Sequence, residues 1–317
     1  MKTGLVLLYD ELDDCFADQL IRAGVQVIGL HPGGGETALE DLERTLQYVQ
    51  DPAFQARIRR LHEAGIETEY AVHAAAWLLP REEFARHPEW FRMNENGERT
   101  PDKNLCFSNP EALELLARNT VRLSRLLPSS NGRYHFWMDD AASGMCHCER
   151  CRAMNPADQI LTAVNRMVRE LRREQPEATL SFLAYHDTLC CPQGTPEPGV
   201  FLEVAPMDRD YHRPLDDAAC DKNRRQTEPF APLLDKFGRR NSTALDYWMD
   251  NSLFSEWKRP PRPFVLDEAT LRADGALYRR LGFEYVTSFG CYLGADYRAL
   301  YGENPPLEAY VRGLTQG

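Results

Sequence analysis

The feature that most constrains this chain is a recurring unit: a short apolar run rich in Val, Leu, Phe and Tyr, then a stretch with helical spacing. Eight such runs occur, at 4–10, 25–31, 67–74, 133–139, 178–186, 200–205, 242–248 and 285–291. Helical patterns lie at 11–23, 37–64, 110–126, 156–173, 224–237 and 266–281, and a short one closes the chain at 306–314. The 37–64 pattern is interrupted near Asp51-Pro52, so it reads as one or two helices. Ser108 or Asn109 can cap the 110–126 helix, with Pro110 and Glu111 in its first turn. Strands buried on both faces read as continuous apolar runs, and their alternation with helices gives a parallel sheet. Eight units predict a sheet closed into a (β/α)8 TIM barrel of the α/β class, one domain over 1–317. A long loop is expected after strand 3 and a Cys-rich loop after strand 4. The rival is an open doubly wound sheet, which normally has a Gly-rich turn after its first strand. This chain has Asp10-Glu11-Leu12 there, and Gly33-Gly34-Gly35 after the second strand reads as a flexible loop.

The chain has 317 residues, 43% of them hydrophobic, enough for a large core. Its net charge of −11 argues against nucleic acid or an anionic membrane as partner. The first apolar run ends at Asp10, too soon for a signal peptide, and no run approaches membrane-spanning length. A cytoplasmic location is expected. The nine cysteines are odd in number and lack a disulfide framework's spacing, which fits a reduced compartment with some thiols on a metal. Oligomeric state is not encoded, and a homodimer stays open.

Barrel chemistry collects at the C-terminal ends of the strands. Here those ends carry Asp10, His31, His73 with Trp77 beyond it, Asp139-Asp140, Tyr185-His186-Asp187, Glu203, Asp246-Tyr247-Trp248 with Asp250, and Tyr292. Carboxylates bind sugar hydroxyls and aromatic faces stack on a pyranose, so this set is expected to bind carbohydrate. The sharpest element is Tyr134-His-Phe-Trp-Met-Asp-Asp140, an apolar strand that runs into two adjacent carboxylates. Neighbours on a strand face opposite ways, but at a strand-to-loop junction both can reach a ligand. Glycoside cleavage needs one carboxylic acid to protonate the leaving oxygen and a second group as nucleophile, base or positioner. Asp139 and Asp140 are the candidate catalytic residues.

Cys146-His-Cys148-Glu-Arg-Cys151 follows within a few residues. Cys148-x-x-Cys151 is half of a zinc site, and Cys146 can add a third thiolate. Cys106 is the first choice for the fourth ligand, with His147, Cys190 and Cys191 as alternatives. Four thiolates would make a structural zinc site, while catalysis itself is expected to need no cofactor. A metal-dependent hydrolase or lyase using the cysteine site or His31, His73 and His186 is less favoured, because the first strand has no His-x-His. A non-catalytic glycan-binding barrel with structural zinc is the other alternative.

His87-Pro-Glu-Trp-Phe91, Asn96-Gly97, Leu105-Cys-Phe-Ser-Asn-Pro-Glu111, Asp139-Asp140 and Cys146-x-Cys-x-x-Cys151 occur in an order that resembles the DUF4838 proteins. That group is similar to the family-163 endo-β-N-acetylglucosaminidases and, more distantly, to other substrate-assisted hexosaminidases. The resemblance runs from about residue 87 to 205. It implies a retaining β-N-acetylhexosaminidase-type glycoside hydrolase, exo or endo, whose nucleophile is the substrate's own 2-acetamido group. By position, Asp139 would orient that group and Asp140 would be the general acid. Tyr185, Asp246, Tyr247 and Trp248 would line the sugar pocket. Asp-Asp stands where Asn-Asp is the commoner pair of that group.

Overall fold

The computed structural model describes residues 1–315. Eight parallel strands form a closed barrel in sequence order. They are β1 (Lys2–Leu8), β2 (Val27–His31), β3 (Glu67–His73), β4 (Arg133–Trp137), β5 (Thr179–Ala184), β6 (Val200–Val204), β7 (Thr243–Asp246) and β8 (Tyr285–Phe289). Closure is made by β1 on β8, in a register that pairs Lys2 with Tyr285 and Val6 with Phe289. The open-sheet alternative is thereby excluded. Among the described residues, no helix is long and apolar enough to cross a membrane.

Helix boundaries follow local chemistry. The Asp13 carboxylate accepts from Phe16 N at 2.7 Å and starts the first helix, Asp14–Ala23. The break expected near Asp51-Pro52 divides Ala38–Tyr48 from Pro52–Glu63, with Asp51 accepting from Ala53 N and Phe54 N. Asn109, rather than Ser108, caps Pro110–Leu126 through Glu111 N and Ala112 N. The β3 connection is long, as expected, and contains only short helical turns before that helix. Pro156–Glu174 follows β4, Glu268–Leu281 follows β7, and the β5 connection has only the turn His186–Thr188.

Strand residues alternate between two cores. Tyr134 and Phe136 of β4, Phe182 of β5 and Val286 of β8 face outward into the layer under the helices. Val6, Ala71, Trp137, Leu183 and Leu245 face the barrel axis. Burying each Val, Leu or Phe among them contributes about 1.5–3 kcal/mol. Below Trp137 the axis is polar. Glu69, Arg133, His135 and Glu203 are all buried there and paired with one another.

Every strand but β2 ends sooner than its apolar run does. β4 stops at Trp137, β5 at Ala184 and β7 at Asp246. Asp139, Asp140, Tyr185 and Tyr247 therefore sit in turns above the barrel rim, where side-chain direction is set by the turn.

Candidate active site

A cavity of about 780 Å³ opens at the C-terminal mouth of the barrel. Of the residues expected from the sequence, it brings together Asp10, His31, His73, Asp140, Tyr185, Tyr247, Asp250 and Tyr292. Its floor is aromatic: Trp137 and Phe289 lie beneath it, and Tyr247 stacks on Phe289 with ring centroids 5.4 Å apart.

The two adjacent aspartates separate. Asp139 turns toward the β3 connection, where its carboxylate pairs with Arg81 and accepts from Asn104 N. Its own amide donates to Asn104 Oδ1 at 2.9 Å. Asp140 lines the cavity and accepts from the Tyr185 hydroxyl at 3.1 Å. The Gly33–Gly35 loop closes over it. A Cβ on Gly34 would stand 2.6 Å from Asp140 Oδ2, so only glycine permits this approach. Burial pushes the Asp140 carboxyl up, but His73, the Tyr185 hydroxyl and His31 outweigh it and hold it below the usual carboxylate range.

His31 and His73 stand edge to face, 5.9 Å apart by ring centroid. Nδ1 of each meets a backbone carbonyl, Ala71 O at 2.6 Å and Met138 O at 2.8 Å. A carbonyl only accepts, so Nδ1 carries the proton and Nε2 is left for the cavity. Burial, then the neighbouring His73, push His31 down to about 4, so it is neutral near pH 7. Among the described residues, these histidines and a carboxylate do not converge into a metal-ligand set.

Asp250 is the opposite of Asp140. Burial pushes its carboxyl up to about 6, despite bonds from the Ser252 hydroxyl and the amides of Leu253 and Ser252. All three bonds fall on Oδ1, the shortest from Ser252 Oγ at 2.6 Å. A carboxylate and a carboxylic acid thus share one cavity at mildly acidic pH.

Other expected residues lie elsewhere. Leu245 and Tyr247 face the axis, so alternation turns Asp246 and Trp248 outward. Asp246 binds Arg209 at 3.0 Å and the Tyr278 hydroxyl at 2.8 Å, and Trp248 Nε1 donates to Asp274 Oδ2 at 2.9 Å. Glu203 faces the axis, but one layer too deep, beneath Trp137, whose Nε1 donates to it. Trp77 packs in the outer layer under Arg122. His186 pairs with Asp208 at 2.9 Å, and Asp187 accepts from Ser143 N at 2.7 Å. Both belong to a small recess beside the Cys-rich turn. The sequence reading passed over Trp257 and Arg259, which also line the cavity. Arg259 lies 4.2 Å from the Tyr292 ring centre and pairs with Glu11, which accepts from Tyr292 N at 2.9 Å. Neither residue lies in a periodic pattern, so only the Trp-Lys-Arg composition of 257–259 marks the segment.

The sulfurs of Cys106, Cys146, Cys148 and Cys151 lie within 4.8 Å of one another, all buried, in a cluster that could hold a metal ion. His147 faces Glu95 instead, and Cys190 and Cys191 lie outside the cluster.

Fold and cavity together define a (β/α)8 barrel with a carboxylate-bearing, aromatic-floored cup at the C-terminal ends of its strands. The chain belongs to the DUF4838 family, described as a domain of unknown function, whose model matches residues 40–237. No curated protein matches the sequence. Among solved structures, a broad-specificity GH5-4 endoglucanase from Bacteroides salanitronis aligns at 12% identity and TM-score 0.53, over 100% of this chain and 93% of its own. An O-GlcNAc hydrolase from Thermobaculum terrenum aligns at 11% and 0.52, over 99% of this chain and 59% of its own. A methylaspartate ammonia lyase from Clostridium tetanomorphum aligns at 9% and 0.50, over 100% of this chain and 56% of its own. The chain spans about half, 54%, of a β-galactosidase from the psychrophilic Marinomonas ef1, at 14% identity, TM-score 0.47 and 91% of this chain. The first three likenesses establish the barrel and, across two unlike chemistries, nothing narrower.

Proposed function

We propose that the protein is a glycoside hydrolase and that its favoured substrate is a 2-acetamido sugar, cleaved with help from the acetamide itself. The observation that carries this is the Tyr185–Asp140 pair in a cavity that also holds Asp250, whose carboxyl burial pushes up to about 6. A phenol and a carboxylate side by side match an acetamide: with sugar bound, the phenol would turn its one hydrogen from Asp140 to the carbonyl oxygen, and the carboxylate would accept the acetamide N–H in its place. As that oxygen attacks the anomeric carbon, positive charge grows on the amide, and an ionised Asp140 stabilises it. The leaving oxygen needs a proton, and a carboxyl lifted to about 6 supplies one better than one held low. In this reading Asp140 orients, Asp250 protonates, and Asp139 holds the turn through Arg81 and Asn104. Trp137, Tyr247 and Phe289 give the sugar an apolar floor. The four cysteines enter as a structural zinc centre outside the chemistry.

The test is hydrolysis of aryl β-N-acetylglucosaminide, β-N-acetylgalactosaminide and plain β-glucoside and β-galactoside by wild type and Asp140→Asn. Turnover confined to acetamido sugars, reduced about 10³-fold in the variant, supports the reading. Equal turnover of the plain glycosides removes the acetamide's role. Sugar binding without turnover of these or of longer acetamido oligosaccharides leaves a glycan-binding barrel.

A further inference from the structure

The four clustered cysteines come from two separate segments. Cys106 lies on the β3 connection, and Cys146, Cys148 and Cys151 lie on the turn after β4. The Cys106 and Cys148 sulfurs are 3.7 Å apart, and all four thiols are free. Four thiolates each about 2.3 Å from a tetrahedral zinc ion stand about 3.8 Å from one another. The surroundings supply donors to sulfur: Met93 N lies 3.4 Å from Cys146 Sγ, and Arg99 Nη1 lies 3.9 Å from it. Such donors offset the double negative charge of a zinc tetrathiolate.

Asn104 joins this cluster to the active-site turn. It is two residues from Cys106, and its Nδ2 donates at 2.9 Å to the carbonyl of Gly144, itself two residues from Cys146. Both its backbone N–H and its Oδ1 are engaged by Asp139, and its carbonyl accepts from Arg81 Nη1 at 2.9 Å. Asn104 adopts a left-handed backbone, with φ of 42°, an uncommon conformation that its surroundings must hold.

We propose that Cys106, Cys146, Cys148 and Cys151 bind one zinc ion, and that this ion clamps Asn104 against Asp139 and so sets the turn that presents Asp140. This inference rests on the structural-zinc reading above and is independent of whether the barrel cleaves glycosides. None of the four cysteines lines the cavity, and the ion acts by position alone. Two segments about 40 residues apart in the chain are closed into one unit by a single ion, which replaces the larger apolar contact such loops would otherwise need.

The experiment uses the full chain and needs no substrate. Metal analysis of purified protein should give about one zinc per chain, falling to almost none in Cys106→Ser/Cys148→Ser. Exchange with Co²⁺ should produce thiolate-to-cobalt charge-transfer absorption. Amide hydrogen exchange then reads the clamp. Chelation should speed exchange about tenfold or more over 102–108 and 139–148, with β1 and β8 still protected. Asn104→Ala should keep its zinc and still loosen 139–144. Absence of both zinc and the cobalt band overturns the site. Full zinc, with 139–144 unchanged on its removal, overturns the clamp. Should chelation unfold the whole barrel, Asn104→Ala alone decides: slow exchange at 139–144 in that variant overturns the clamp.

Discussion

Trp137 Nε1 donates a 2.8 Å hydrogen bond to Oε2 of Glu203, so the indole that floors the cavity is fixed from beneath by a buried carboxylate. Glu203 in turn pairs with His135 at 2.9 Å, and His135 reaches Glu69 at 2.8 Å on its other nitrogen. Glu203→Ala leaves a buried imidazolium with one carboxylate partner and an indole N–H with only the longer 3.2 Å bond to Ser181 Oγ. The expected cost is about 3 kcal/mol, read by urea unfolding at pH 7. A loss under about 1 kcal/mol would mean the network contributes little.

The same trio sets a pH dependence. Burial pushes His135 down, but Glu203 and Glu69 pull it up to about 9, above its ordinary 6.5. A raised folded value means the stabilisation is present below pH 6.5 and is lost as pH rises through about 9. Wild type should therefore lose stability over that window by more than His135→Gln does. Parallel curves for the two proteins would contradict it.

In the proposed chemistry Asp250 must be protonated, so kcat/KM should fall as pH rises through about 6. The Ser252 hydroxyl donates to Asp250 and favours its ionised form. Ser252→Ala should raise the Asp250 value and move the alkaline limb of the profile upward. A limb that stays in place would take the proton-donor role away from Asp250.

Tyr185→Phe removes the donor to Asp140 without removing the ring. Its loss lets the Asp140 carboxyl rise, so the acidic limb should move to higher pH. Turnover should fall about 10²-fold, as expected when a donor that positions the attacking acetamide oxygen is lost. A changed KM with kcat and the acidic limb both unaltered would reduce Tyr185 to a stacking surface.

Gly144→Ala tests the close approach beside the cysteines. An added Cβ would stand 2.6 Å from Asn104 Nδ2. The collision should cost about 1–3 kcal/mol in thermal or urea unfolding while leaving the cysteines in place. Wild-type stability in this variant would show that the two segments slide freely.

All eight strands are legible in the sequence because each is buried on both faces and reads as an unbroken apolar run. What apolarity alone hides is where the ladder stops. Met138, Tyr185 and Tyr247 prolong their runs although the pairing has ended. Direction is partly legible. Alternation from Leu245 separates Tyr247 from Asp246 and Trp248, whereas the depth of Glu203 along the axis depends on barrel stagger, which one strand does not encode. Cys106 could be matched to its partners because thiol chemistry is sparse. The bond from Asn104 to Asp139 spans 35 residues and leaves no periodic trace.

The division of labour between Asp139 and Asp140 decides which parts of this barrel can be rebuilt. Segments 104–106 and 139–148 behave as one component, since Asn104 touches both. Shortening or replacing either alone would move the other. The remaining cavity wall, from the Gly33–Gly35 loop and from Trp257 and Arg259, makes no hydrogen bond to Asn104, Asp139 or the clustered cysteines among the described residues. A redesign of the proposed sugar specificity therefore has its editable surface after β7 and, Gly34 excepted, after β2, with the β3 and β4 loops transplanted intact.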